Sequence, residues 1–290
     1  MKLQSSLTQF VGCDHPLETA KTVIFGAGYD GTVTLRPGTR FGPEAMRDLS
    51  IGLEMYSPYQ DLNIGDFAIA DAGDLDLPFG DTDTTLRMIE EETREIVKAG
   101  KQPVMLGGEH LLTLATVKAV HEAYPDLHVI HFDAHTDLRD EFMGVELSHA
   151  TVIKQVWRIL GDKKVHSFGI RSGLGEEFVF GREHLDFNPF SLACLKDRIA
   201  DYGLVEQQIP VYLTIDLDVL DPSVFPGTGT PEPGGVDFHT LLNAILAMRG
   251  LNIVGFDLVE LAPDYDASGC STLVACKVLR ECLLAFSPRP

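Results

Sequence analysis

Short apolar runs alternate along the chain with longer stretches in which apolar and polar positions recur at helical spacing. The apolar runs are TVIFGA, QPVML, LHVIHFDA, KVHSFGI, VYLTIDLD and NIVGFDLVE. Short and almost continuous apolar runs are typical of strands that are covered on both faces. These runs therefore predict a parallel sheet that lies between two layers of other structure.

The stretches between the apolar runs have the period of an amphipathic α-helix. They are TTLRMIEEETREIVKAG, HLLTLATVKAVHEAY, SHATVIKQVWRILG, DFHTLLNAILAMRG and the segment from Ser271 to Phe286. Gly100 and Gly161 close two of them, as expected of residues that follow a last helical turn. Alternating strands and helices predict βαβ units, and hence an α/β fold with a central, mainly parallel sheet. Without a linker or repeat, residues 1–290 are expected to form one domain, with roughly the first 20 as an N-terminal arm.

The composition restricts where the chain works and what it binds. No apolar run approaches the ~18 residues of a transmembrane helix, and the N-terminus lacks a secretory h-region. Five cysteines without a CxxC spacing predict free, mostly buried thiols in a reducing compartment, and so a cytoplasmic protein. The formal charge of 23 − 43 = −20 argues against nucleic acid and membrane partners and suits a cationic substrate. An acidic surface that serves only solubility is the alternative interpretation.

Polar side chains follow three of the predicted strands at the point where each strand ends. In HFDAHTD the polar residues stand in alternate positions, so an extended backbone directs them to one side. VYLTIDLDVLDP repeats the arrangement, and PVMLGGEHLLT places a histidine after a third strand. Because ligands of open parallel sheets bind beyond the carboxyl ends of the strands, we expect these side chains to converge. They are His110, Asp133, His135, Asp137, Asp216 and Asp218.

Four clustered carboxylates repel one another and take up protons unless cations balance them. Two divalent ions balance four negative charges, and a set of carboxylates and imidazoles without thiolate favours Mn²⁺ over structural zinc. Ions about 3.5–4 Å apart can share bridging carboxylates. Each segment also has a simpler interpretation without a metal. The ends of strands often turn polar, and a single histidine such as His110 is often structural.

Five segments together resemble the signature motifs of the ureohydrolase family, which includes arginase, agmatinase, guanidinobutyrase and formimidoylglutamase. They are GGEH, IHFDAHTD, TIDLDVLDPSVFPGTGTPEPGG, RPGTRFGPEAMR (Arg36–Arg47) and DLVELAP (Asp257–Pro263). The resemblance covers nearly the whole chain beyond the N-terminal arm. It implies a three-layer α/β/α arginase-like fold, a binuclear manganese centre with two Mn²⁺ per chain, and a homo-trimer or homo-hexamer.

The resemblance also implies roles for single residues. The first ion would be held by His110, Asp133, Asp137 and Asp216, and the second by Asp133, His135, Asp216 and Asp218. The catalytic residues would be Asp137, which accepts a proton from the attacking water, His149, which protonates the leaving amine, and Glu260, which binds the guanidinium. Two of these assignments have simpler alternatives: His149 would merely open a helix capped by Ser148, and Glu260 would be a solvated loop carboxylate.

The loop after Asp137 indicates the substrate. Arginases place Asn two residues after that Asp, whereas this chain has Arg139 and the sequence LRDEFMGVELSHAT, which resembles the DLR…GxxLSH form of agmatinases. The acids in this loop favour agmatine, which is cationic at both ends. Arg139 keeps 4-guanidinobutyrate open as the main alternative, followed by arginine and formimidoylglutamate.

Two further classes of protein are alternatives to a manganese-dependent ureohydrolase. Deacetylases on the related arginase–deacetylase fold use a single zinc, and six candidate ligands argue against one ion. A catalytically silent ureohydrolase-like binding protein would be expected to lack a ligand, and none of the six is missing. The sequence therefore predicts an enzyme that hydrolyses a guanidino compound to urea and an amine.

Overall fold

A computed structural model of the protein describes residues 3–4 and 8–289. The strands are β1 (Leu3–Gln4), β2 (Thr22–Ala27), β3 (Tyr56–Ser57), β4 (Leu62–Asn63), β5 (Ile69–Leu75), β6 (Gln102–Gly107), β7 (His128–Phe132), β8 (Val165–Phe168), β9 (Asp186–Asn188), β10 (Pro210–Asp216) and β11 (Asn252–Val259). The α-helices are α1 (Gly42–Ser50), α2 (Thr82–Lys98), α3 (Thr113–Ala123), α4 (Val152–Leu160), α5 (Gly175–His184), α6 (Leu195–Asp201), α7 (Phe238–Ala247) and α8 (Cys270–Phe286).

Nine strands form one sheet in the order β1-β5-β2-β6-β11-β10-β7-β8-β9. Strand β1 is antiparallel to β5, and the other pairs of this sheet are parallel. Strands β3 and β4 form a separate antiparallel pair. The predicted central, mainly parallel sheet is therefore confirmed.

Helices cover both faces of the sheet, which gives three layers. One core cluster joins the sheet to α1, α6, α7 and α8, and a second joins it to α2, α3 and α4. Apolar residues of the central strands are buried on both faces, as their continuous apolar sequences predict. None of the helices in the described part combines the length and the hydropathy that a bilayer crossing requires.

Four neighbouring strands place the polar segments together. Strands β6, β11, β10 and β7 lie side by side and run parallel, so their carboxyl ends meet at one edge of the sheet. His110 follows β6, Asp133 follows β7, Asp216 ends β10 and Glu260 follows β11. The sheet order thus brings segments that are far apart in sequence to a single point.

Several elements have no counterpart among the predicted ones. Strand β5 has a polar sequence, IADAGDL, because buried Arg47 neutralises its Asp71 through an ion pair of 2.8 Å. Helices α1, α5 and α6 were also not predicted. The five thiols are free, as predicted; those of Cys13, Cys276 and Cys282 are buried, whereas Cys270 is exposed at the start of α8.

Candidate metal centre

The imidazole of His110 lies at the centre of three carboxylates. Its Nδ1 atom is 3.1 Å from Asp133 Oδ2, 3.2 Å from Asp137 Oδ2 and 3.3 Å from Asp216 Oδ2. The His110 side chain is 1% exposed, and the three carboxylates are also buried. Four possible ligand atoms from three strand ends therefore surround one small volume.

A second group adjoins the first. His135 Nδ1 lies 3.0 Å from Asp218 Oδ2 and 3.5 Å from Asp133 Oδ1. Asp133 thus presents one oxygen to each group, as expected of a bridging carboxylate. Asp216 presents its Oδ2 to the first group, and its Oδ1 accepts the backbone N–H of Asp218, which belongs to the second group, at 2.9 Å. All six side chains that the sequence singled out meet in this cluster.

A chain of hydroxyl groups determines which nitrogen of His110 carries hydrogen. Thr113 donates its only hydroxyl hydrogen to Asp257 Oδ2 at 2.9 Å, so it can only accept from Thr214, 3.3 Å away. Thr214 in turn can only accept from His110 Nε2, at 3.0 Å. His110 therefore carries hydrogen on Nε2 and directs the lone pair of Nδ1 at the carboxylates. Asp257 therefore acts on His110 only through this chain of hydroxyl groups.

The resulting arrangement fits a cation. His110 Nδ1 is buried and makes no hydrogen bond of acceptable geometry among the described residues, although three carboxylate oxygens lie within 3.3 Å. Lone pairs that face one another at this spacing repel unless a positive charge lies between them. Neighbouring ligands of an octahedral ion with bonds of about 2.1 Å are about 3 Å apart, which matches these separations.

The electrostatics of the cluster favour positive charge as well. Burial, reinforced by the Asp133 carboxylate, raises the pKa of Asp137 to about 7. Burial together with Asp218 raises the pKa of Asp216 well above its usual range. Burial lowers the pKa of the His110 imidazole, but the surrounding carboxylates outweigh it and raise that pKa well above 6.5. Protons and divalent ions therefore compete for the same oxygens.

His131 is a member of the cluster that the sequence analysis did not identify. It is fully buried, its Nε2 lies 2.9 Å from Asp133 Oδ2, and its Nδ1 lies 3.0 Å from Ser167 Oγ. With both nitrogens engaged, His131 orients the carboxylate of Asp133. The signal was present, because His131 continues the alternation of Asp133, His135 and Asp137 by one step.

Two carboxylates at this edge of the sheet have a left-handed backbone. The φ angle is 50° at Asp137 and 66° at Glu260, a backbone region that residues other than glycine seldom adopt. Glu260 is 5% exposed, and its Oε1 accepts the backbone N–H of His110 at 2.8 Å. Burial raises the pKa of Glu260 well above 4.5, so it is not a solvated loop residue.

A cleft of about 260 Å³ opens above the cluster. Its lining includes five buried residues, His110, Asp137, Glu177, Asp216 and Glu260, and three half-buried ones, Arg139, Phe142 and His149. The predicted catalytic residues therefore share one cavity with ligand candidates from both groups.

His149 begins a short 3-10 turn before α4, and Ser148 caps that turn by accepting the backbone N–H of Ala150. The helix-opening interpretation and a role in the cleft are thus compatible, because His149 also lines the cavity. Burial, reinforced by His135, lowers the pKa of His149 to about 4. An unperturbed histidine titrates near neutrality, whereas an imidazole with this lowered pKa is neutral at pH 7.

Arg139 is engaged within the protein. Its guanidinium lies 4.5 Å from the centre of the Phe142 ring, and its Nε lies 4.0 Å from Glu177 Oε2. Glu177 is 4% exposed and also accepts the backbone N–H groups of Leu138 at 3.2 Å and Leu174 at 2.5 Å. Glu177 therefore joins the segments of Leu138 and Leu174 and places a carboxylate in the cleft. Helix α5, which carries Glu177, was not predicted.

Known proteins resemble this chain over nearly its full length. The arginase family model matches residues 20–285. An agmatinase of Bacillus anthracis is 47% identical over 275 residues, which is 94% of each chain, and an agmatinase of Bacillus subtilis is 45% identical over 281 residues, or 96% of each. The crystal structure of a Clostridium difficile protein with a proposed agmatinase function has a TM-score of 0.90 at 49% identity and covers 94% of this chain and 99% of that one.

Proposed function

The chain belongs to the arginase family and is a hydrolase of guanidino C–N bonds, and we propose that it converts agmatine to putrescine and urea with two Mn²⁺ ions. The first ion would be held by His110, Asp133, Asp137 and Asp216. The second would be held by Asp133, His135, Asp216 and Asp218. Support comes from the unpaired Nδ1 of His110 among three carboxylates and from the two oxygens that Asp133 presents to the two groups.

When bound, such ions lower the pKa of water from 15.7 to roughly 7 and so supply a nucleophile for the weakly electrophilic guanidinium carbon. The protein's own residues supply orientation and proton transfer. Glu260, buried at the base of the cleft, pairs with the guanidinium and holds its carbon over the cluster. Asp137 lines the cleft, 3.2 Å from His110 Nδ1, and takes up the proton that the attacking water loses.

His149 would act as a shuttle for that proton. Its pKa of about 4 makes the imidazole neutral at working pH, so it cannot start the reaction as a ready acid. It can receive the proton released within the cleft and deliver it to the amine as the C–N bond breaks. The low pKa assists delivery, since a weakly basic imidazole gives the proton up readily to an amine.

The observation that carries agmatine as the substrate is the set of acidic residues around the cleft. Buried Glu177 lines the cleft, and exposed Glu141 and Glu176 line the adjoining cavity, where Asp140 already pairs with Lys154 at 3.3 Å and with Arg158 at 3.2 Å. Because Arg139 stacks on Phe142 and faces Glu177, its charge is partly balanced by a neighbouring carboxylate. A distal ammonium group gains from this field, whereas a distal carboxylate is repelled.

A panel of substrates tests this proposal. Protein loaded with Mn²⁺ should release urea from agmatine with a kcat/KM at least about tenfold above that for arginine or 4-guanidinobutyrate, a difference of ~1.4 kcal/mol. Glu177→Gln should raise the KM for agmatine more than it lowers kcat. A higher kcat/KM for 4-guanidinobutyrate or arginine than for agmatine would contradict this substrate assignment.

A specific observation supports 4-guanidinobutyrate as the second candidate. Arg139 lines the cleft, and its contact with Glu177 is only 4.0 Å long, so a substrate carboxylate can compete for it. Arg139→Ala separates the candidates: it should leave agmatine hydrolysis within about threefold if the cation merely supports the loop, and abolish 4-guanidinobutyrate hydrolysis if it binds that carboxylate.

Three broader expectations accompany this proposal. The five free thiols support a cytoplasmic location. We also propose one domain over residues 1–290 and a homo-trimer or homo-hexamer. Sedimentation analysis of the purified protein would decide the number of subunits.

A further inference from the structure

The hydroxyl group of Thr32 joins three segments beside the cleft. Thr32 follows β2, and its Oγ1 lies 2.8 Å from Glu109 Oε1, 3.1 Å from the backbone N of His149 and 3.3 Å from His149 Nδ1. The backbone N–H of Thr32 donates to the other oxygen of Glu109 at 2.9 Å. Glu109 is fully buried just after β6, so a buried side chain anchors the threonine.

A count of hydrogens decides the direction of each hydrogen bond at Thr32. The backbone N–H and the hydroxyl of Thr32 donate to the two oxygens of Glu109, and this uses the only hydroxyl hydrogen of the threonine. The backbone N–H of His149 occupies one lone pair of Oγ1. Toward His149 Nδ1 the hydroxyl can therefore only accept, which requires that Nδ1 carries hydrogen.

Ser148 offers a weaker alternative contact. Its Oγ lies 3.5 Å from His149 Nδ1, at the outer limit of a hydrogen bond, and the same oxygen accepts the backbone N–H of Ala150 at 3.2 Å. Thr32 is closer to Nδ1 and is fixed on its other side by two hydrogen bonds to the buried Glu109 side chain. The Thr32 contact therefore determines the state of the ring.

We propose that Thr32, anchored by Glu109, is a positioning residue that fixes His149 as its Nδ1–H tautomer and leaves Nε2 to exchange protons in the cleft. This inference rests on the proposed role of His149 in hydrolysis. A neutral histidine that receives and then delivers a proton needs a free lone pair on the atom nearest the reaction. Without the threonine acceptor, the ring is free to rotate and to adopt the other tautomer, in which Nε2 has no lone pair to offer.

Three threonine variants test the positioning role. Thr32→Val removes the hydroxyl and should lower kcat for urea release by about 10- to 100-fold with little change in KM, less than the ~10²–10⁴-fold typical of complete loss of acid–base catalysis. Thr32→Ser restores the hydroxyl and should recover most of that activity. Thr39→Val is the matched control, because Thr39 is buried and its hydroxyl has no hydrogen-bond partner in the part of the chain that the structure describes.

A double-mutant cycle separates positioning from a general disturbance of the loop. If Thr32 acts through His149, then Thr32→Val should change kcat by less than about twofold when His149 is already phenylalanine. Multiplicative losses in the His149→Phe, Thr32→Val protein would overturn the inference. A Thr32→Ser protein as impaired as Thr32→Val would overturn it too.

The tautomer itself gives a readout that does not depend on activity. ¹⁵N NMR of protein labelled at its histidine nitrogens, with any paramagnetic ion exchanged for Zn²⁺, should show Nδ1 of His149 protonated and Nε2 unprotonated. The His149→Phe spectrum assigns the signals, and Thr32→Val should shift the ratio of tautomers. A protonated Nε2 in the unmodified protein would overturn the inference, whereas absence of urea from every guanidino compound would instead overturn the proposed function.

Discussion

Two clusters of histidine and carboxylate lie at opposite ends of the strands of the same sheet, one at the amino ends and one at the carboxyl ends. At the amino ends of β7, β8 and β9, His166 Nδ1 lies 2.9 Å from Asp186 Oδ2, and His166 Nε2 lies 2.9 Å from His128 Nδ1. Arg198 donates to the remaining oxygen of Asp186 at 2.6 and 2.8 Å. Each of these groups has found a partner within the protein.

The cluster at the carboxyl edge contains the same residue types but lacks this balance. There the hydrogen of His110 points to Thr214, and Nδ1 faces three carboxylates. Burial and residue type therefore do not distinguish a structural cluster from a candidate metal centre. What distinguishes them is whether the polar groups carry enough hydrogens to pair every lone pair that faces another lone pair.

Replacing one aspartate at each edge should give the largest contrast. Asp133→Asn should abolish binding of both ions and lower kcat/KM by more than about 100-fold, since even the outer partners of metal ligands are worth 10- to 100-fold. Asp186→Asn should keep metal and activity and lower only the free energy of unfolding, by about 1–3 kcal/mol. Metal analysis after dialysis and urea release measure both. Full metal occupancy in the Asp133 variant would contradict the bridging assignment.

A smaller effect is expected from the hydroxyl that orients His110. Thr214→Val leaves the Nε2 hydrogen without an acceptor, so metal affinity should fall by about 10- to 100-fold while the ligands stay in place. Thr93→Val is a suitable control, because this buried hydroxyl donates only to Ile89 O of its own helix. Isothermal titration calorimetry with Mn²⁺ would measure the metal affinity of both variants. Equal affinities would contradict the proposed effect of Thr214 on the metal ligand His110.

The smallest expected effect is on the pH dependence of stability and comes from His128, in the cluster at the amino ends of the strands. Burial, reinforced by His166, lowers the pKa of His128 from 6.5 to about 4. The stabilisation from the neutral ring is therefore complete above pH 6.5 and is lost as the pH falls toward 4, because the unfolded chain binds the proton first. His128→Gln should make the free energy of unfolding less dependent on pH in this window, by the order of 1 kcal/mol for a half-buried ring. Urea denaturation at pH 7 and pH 4.5 checks this; an unchanged difference would contradict it.

The sequence predicted the parts of the site that depend on local pattern. Alternation in HFDAHTD and the apolar strands before it placed Asp133, His135 and Asp137 correctly at a strand end, and the six candidate ligands do meet. Residues whose role depends on tertiary contact were missed. Glu177 lies on a helix with no clear apolar periodicity, and Thr32 reaches His149 from a loop more than 100 positions away, at a separation of 117. Strand β5 was missed for the same reason, because its polar sequence is buried only through the ion pair between Arg47 and Asp71.

The left-handed backbone at Asp137 and Glu260 sets a limit on how this protein can be made more robust. A left-handed conformation costs a residue with a side chain about 1–2 kcal/mol, which glycine does not incur. Glycine at either position would also remove a buried carboxylate. A library screened for thermal tolerance alone should therefore enrich glycine at positions 137 and 260, and the hardiest survivors should be inactive. Screens that aim at a durable catalyst need to hold these two codons constant.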